Sequence, residues 1–114
     1  MTACRGDIFW VSLDPVMGHE QAGRRPVLVI SHDSFNRFIK IPIVLPITNH
    51  GNFARRRGFS VDLTGCGLRT KGIVRCDQPR AIDLEARNGE FVERLPDAMV
   101  EDVLARVRTI FDSD

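Results

Sequence analysis

A chain of 114 residues, 43% hydrophobic and 27% charged, has the length and makeup of one globular domain over residues 1–114. No apolar run approaches a transmembrane helix in length or is shaped like a secretory signal, so neither is expected, and the cysteine usage suits a reducing cytoplasm. Cys4, Cys66 and Cys76 are odd in number and scattered, which argues against a disulfide framework or a zinc site. The net charge of +1 hides a segregation. Residues 24–80 carry eleven cations and three anions, residues 81–114 four and nine, and residues 1–23 one and three. A basic middle made almost wholly of arginine suits phosphate contacts and base stacking, though a solvated surface has the same pattern.

Ile8 to Leu13 reads as a first strand, with Trp10 expected in the core or an interface. Residues 14–25, with Pro15, Gly18 and Gly23, form a polar loop. The apolar run Pro26 to Ser31 predicts a central strand. Asp33 to Phe38 predicts a short helical turn capped by Asp33 or Ser34, with His32-Asp33 ordering its start. Ile41 to Ile47 is a strand that Pro42 and Pro46 push toward an edge, a bulge or bent ends. After a polar loop at 49–57 come strands over Phe59–Leu63 and Gly72–Ile82, joined through Gly65-Cys66-Gly67. Phe91 to Leu95 predicts a short strand. Pro96 to Phe111 predicts the one long helix, its stripe of Met99, Val100, Val103, Leu104, Val107, Ile110 and Phe111 facing a core. Short strands with a single terminal helix suggest a barrel-like antiparallel sheet.

The most informative stretch is Gly72-Ile73-Val74-Arg75-Cys76-Asp77-Gln78-Pro79-Arg80. In a continuous strand Arg75 and Asp77 project from one face, roughly 6–7 Å apart, and can flank one phosphate diester. An ion pair is the plainer meaning of that spacing. RNA carries its own nucleophile, so its cleavage needs a base for the 2′ proton, a proton for the departing 5′ oxygen, and cations for the charge that develops. Asp77 is the candidate base and Arg75 the candidate clamp. His19, Glu20, Arg25 and Thr48 come from neighbouring loops and strand ends. An arginine is a poor proton donor because it keeps its proton at any ordinary pH, whereas histidine is the natural titrating residue type, which makes His19 a candidate. Phe53 and Phe59 are aromatic candidates for base stacking, Phe59 equally a core residue. The histidines His19, His32 and His50 form no paired metal-ligand spacing, and no nucleotide or nucleophile-elbow motif is present, so no metal or cofactor is expected.

An ordered series extends this reading. Gly6-Asp7-Ile8-Phe9-Trp10-Val11, Asp14-Pro15, Gly18-His19-Glu20-Gln21, Arg25-Pro26, Pro46-Ile47-Thr48, Gly51-Asn52-Phe53-Ala54-Arg55, Gly58-Phe59, Gly72 through Arg80, and Ile82-Asp83 together resemble the MazF/PemK family of bacterial toxins. The resemblance runs from about Arg5 to about Phe111. It implies a mainly β fold with a C-terminal helix: an SH3-like, partly open antiparallel β-barrel that works as a homodimer. It implies a metal-independent, sequence-selective endoribonuclease that cuts single-stranded messenger RNA and leaves 2′,3′-cyclic phosphate and 5′-OH ends. By position, Asp77 matches the family's base and Arg75 its acid, with His19, Thr48 and Arg25 supporting them. Glu20, Asn49, Arg55, Phe59, Lys71 and Gln78 fall at or beside positions that bind RNA. A cognate antitoxin would cover the groove with an acidic segment that orders on binding. Asn49-His50, Thr70-Lys71 and Arg56-Arg57 depart from the family's pattern and bear on the preferred cleavage sequence. Two rivals remain. One is a non-enzymatic toxin on the same architecture that binds DNA gyrase through an exposed helix tip. The other is an RNA-binding barrel without catalysis.

Overall fold

The computed structural model describes residues 2–13, 23–49 and 57–112. In chain order these form β1 (Asp7–Ser12), β2 (Arg24–Val29), α1 (Asp33–Ile39), β3 (Ile43–Thr48), β4 (Ser60–Asp62), β5 (Ile73–Arg75), β6 (Arg80–Ala81), β7 (Glu90–Arg94) and α2 (Asp97–Arg108). The strands pair antiparallel in the order β4-β5-β3-β2-β1-β7, with β6 also on β3. The terminal strands β4 and β7 do not pair, so the barrel is open.

The central strands read as unbroken apolar runs because both of their faces are covered. On one face Ile8, Leu28, Leu45, Ile47 and Val74 pack with Val100, Val103, Leu104 and Val107 of α2. On the other, Phe9, Val11, Val27, Val29 and Val44 pack with Ala3, Ile82 and Leu84. Each such aliphatic side chain contributes about 1.5–3 kcal/mol. That burial holds α2 although no side chain caps its N-terminus. The helix ends at Arg108, and Ile110 and Phe111 lie exposed in the turn beyond it. At α1 the cap is His32, whose Nδ1 accepts from the Phe35 amide at 3.1 Å. Trp10, expected in the core or an interface, is not in the core of this chain: it is 40% exposed.

The single strand predicted over Gly72–Ile82 is broken. β5 and β6 both lie along β3, but six residues separate Val74 from Arg80 while three separate their partners Ile47 and Val44. The surplus loops out after Arg75, where the Gln78 amide returns to the Arg75 carbonyl at 3.2 Å. The cause is on β3. Ile43 turns its carbonyl toward the β2 side, accepting from the Ile30 amide at 2.9 Å. Alternation then turns the backbone of Pro46 toward β5 and β6, where proline has no N–H to give, and the ladder lapses.

Candidate catalytic pair and nucleic-acid interface

Strand register gathers several of the predicted residues on the sheet face away from α2. Val11 and Val27 belong to the core on that face, so Arg25, opposite Val11 and two residues before Val27, shares it. Val27 pairs with Pro46, and extending that register by two residues sets Arg25 opposite Thr48. Thr48 pairs with Ile73, and Ile73 with Asp62. One row further along, Arg75 pairs with Ser60. Thr48 and Arg75 are thus diagonal neighbours, with Cα atoms roughly 7–8 Å apart.

Asp77 is not a strand residue, so alternation does not place it; the turn does. The Cys76 amide is fixed to the Phe59 carbonyl at 2.8 Å, and the chain then folds the Asp77 carboxylate back onto Arg75. Arg75 donates from Nε to Oδ1 at 3.1 Å and from Nη2 to Oδ2 at 3.0 Å. The two side chains are 17% and 26% exposed, so the pair is partly desolvated yet open to solvent. A carboxylate has about four lone-pair positions, and among the described residues this one uses two of them. Beneath it, burial pushes the Cys76 thiol up to about 11 against the pull of Arg106. Cys76 is core, not chemistry.

Beside this face opens a groove of about 330 Å³ lined by Trp10, Arg24, Arg25, Pro26, Ile47, Thr48, Asn49, Arg69, Thr70, Lys71 and Val92. Arg25 and Thr48 belong to both regions. The four cations of the groove are of two kinds. Arg24 is spent on the fold: its guanidinium donates to Ser12 Oγ at 3.2 Å and to the Trp10 and Asn88 carbonyls at 2.9 and 2.6 Å, and it pairs with Glu90 at 3.3 Å. Arg69 is spent likewise on the Val92 carbonyl. Among the described residues Arg25 and Lys71 have no such partner, and both are exposed.

The groove wall at 69–71 is clasped to β7 by Glu93. Its carboxylate accepts from the Arg69 amide at 3.1 Å, the Thr70 amide at 2.7 Å and the Thr70 hydroxyl at 2.6 Å. Burial pushes the Glu93 carboxyl up, but these hydrogen bonds and the Arg69 charge together hold it below the usual carboxylate range. On the other side of the wall Gly72, at φ +118°, lets the chain pass close to β3. A Cβ there would meet the Thr48 carbonyl oxygen at 2.9 Å.

Of the predicted site residues, Asp77, Arg75, Thr48 and Arg25 are brought together, and Asn49 and Lys71 line the adjoining groove. Gln78 is exposed in the turn after Asp77. Phe59 packs against the α2-side core instead of joining the Arg25–Thr48–Arg75 face. His19, Glu20 and Arg55 lie outside the described residues. Sequence reasoning missed Arg24, Arg69, Thr70 and Glu93. Arg24 sits beside Arg25 with nothing to distinguish them except strand alternation. Glu93 acts across 23 residues of sequence.

Residues 4–111 match the family described as PemK-like, MazF-like toxin of type II toxin–antitoxin system. The chain is similar to Endoribonuclease PemK of Escherichia coli, 55% identical over 106 residues that cover 93% of this chain and 80% of that protein. It is also similar to Endoribonuclease toxin ChpB of Escherichia coli K12, 42% identical over 109 residues covering 95% and 93%. Among solved structures, MazE-MazF from Deinococcus radiodurans (Form-II) superposes with a TM-score of 0.83 at 27% identity, covering 97% of this chain and 96% of that one. The chain belongs to the PemK-like, MazF-like toxins of type II toxin–antitoxin systems.

Proposed function

We propose that the protein is a toxin endoribonuclease that cleaves single-stranded messenger RNA without a metal, selectively by sequence. The observation that carries this is the Arg75–Asp77 pair, partly exposed on the face of Thr48 and Arg25 and bordered by a cationic groove. The Asp77 carboxylate takes the proton of the 2′-OH. The 2′ oxygen forms its bond to phosphorus as the bond to the 5′ oxygen breaks. Arg75, with Arg25 beside it, stabilises the added negative charge. The 5′ oxygen leaves protonated, with His19 as the titratable donor within the same chain. The products are a 2′,3′-cyclic phosphate and a 5′-OH. Thr48, Asn49, Lys71 and Gln78 position the strand, with Glu20 and Arg55 carried over from the family resemblance. Incubating the protein with single-stranded RNA in EDTA and mapping the new ends tests the proposal. Discrete 5′-OH ends are expected; intact RNA would refute it.

The working unit in this proposal is a cytoplasmic homodimer held in check by a cognate antitoxin, the partner kind seen in the MazE-MazF structures. The exposed Phe111 lines an apolar hollow with Ile30, Ile43, Ala81 and Val107, which suits a subunit contact. That same exposed tip is what the gyrase-binding rival needs. Gyrase trapped in complex while RNA stays intact would favour the rival. Among the described residues no helix is long and apolar enough to cross a membrane.

A further inference from the structure

We infer that Trp10 is a stacking platform for a nucleobase of the RNA strand, forming a binding subsite in the groove that Arg25 and Thr48 also line; this rests on the nuclease reading above. Trp10 is 40% exposed, and its exposed ring belongs to the groove. Strand alternation turns it to the same side as Pro26, opposite it on β2, and Ile47. With Val92 these side chains make an apolar floor. The two cations with no partner among the described residues, Arg25 and Lys71, stand at its margin. The described lining holds no carboxylate.

An apolar aromatic floor edged by cations with no partner among the described residues is complementary to a nucleotide: the base lies on the ring and the phosphates meet the cations. The groove volume falls at the lower end of the range for small-ligand sites, room for one unit of a chain and not for a folded partner. The backbone that carries the ring is also fixed. Arg24 Nη2 bonds the Trp10 carbonyl at 2.9 Å, and the Glu93 clasp fixes the facing wall. The base is bound without being read for its identity, because every base offers a π-face.

Trp10 is the single tryptophan of the chain, so its emission reports on this subsite alone. The probe is a mixed-sequence oligodeoxynucleotide, which lacks the 2′-OH and is not cut by the proposed route. Saturable, salt-sensitive quenching is expected. Trp10→Ala should weaken binding of a labelled oligonucleotide by about 5- to 150-fold, and in RNA cleavage the loss should fall mainly on KM. Trp10→Phe, which keeps an aromatic face, should restore most of both, and melting curves check that each variant is folded. RNA cut at the usual rate with unmoved emission and unweakened binding in Trp10→Ala would overturn the subsite and leave the nuclease standing. Quenching and binding with RNA intact would do the reverse. Emission that follows protein concentration, or an acidic peptide that quenches where the oligonucleotide does not, would make this a protein contact and overturn the inference.

Discussion

Two carboxylates, Asp77 and Glu93, each meet an arginine on the same molecule, and they do opposite things. Glu93 accepts three hydrogen bonds, two of them from backbone amides, and so closes the gap between the 69–71 wall and β7. Asp77 accepts only from the Arg75 side chain among the described residues, at the tip of a turn that backbone hydrogen bonds already close. A carboxylate saturated by the backbone is structural; one held by a single side chain keeps capacity for a substrate. The cations divide the same way. Arg24 and Arg69 bond carbonyls of their own protein, while Arg25 and Lys71 do not among the described residues.

Removing each carboxylate should separate chemistry from stability. Asp77→Asn is expected to lower the RNA cleavage rate by about 10²–10⁴-fold, as loss of a general base does, with a melting temperature close to that of the parent. Glu93→Ala should instead cost about 1–2 kcal/mol of stability in urea denaturation, since it leaves two amides and a hydroxyl without their acceptor, and should retain measurable cleavage. The pH dependence carries the same sign. The folded Glu93 carboxyl lies below its ordinary value of 4.5, so its contribution is complete above that value and is lost as pH falls through the lower folded value. Glu93→Gln should flatten the acid limb of a stability-against-pH curve.

The cations sharpen the contrast on a smaller scale. Arg25→Ala or Lys71→Ala should each reduce the salt dependence of single-strand binding by a slope of about 0.7 while leaving melting unchanged. Arg24→Ala or Arg69→Ala should lower the melting temperature instead. The smallest effect concerns the thiols. Under native conditions iodoacetamide should label the exposed Cys66 ahead of the buried Cys76, read by mass spectrometry. Fast labelling of Cys76 would mean that the turn beneath Asp77 opens.

The strands of the centre were legible because continuous apolar runs demand burial on both sides, and the α2 stripe because its period is helical. The break after Arg75 was not. It follows from Pro46, a residue on another strand whose missing N–H faces the lapse, and pattern within 72–82 carries no trace of that. The Arg75–Asp77 partnership was therefore foreseen with the wrong geometry: a turn, not alternation, brings the two together. Arg25 and Thr48 were legible as candidates, but their alignment in one row depends on register across β2 and β3. Trp10 read as core or interface because it stands in a strand of core residues; it is instead 40% exposed and lines the groove with Arg25 and Lys71.

Single-turnover cleavage of one RNA in EDTA by the parent, Asp77→Asn and Glu93→Gln, each with its melting temperature, tests the division most directly. Asp77→Asn should melt like the parent and cut at least about 10²-fold more slowly, while Glu93→Gln should melt lower and still yield 5′-OH ends. Asp77→Asn cutting at the parental rate would contradict the assignment of Asp77 as the base.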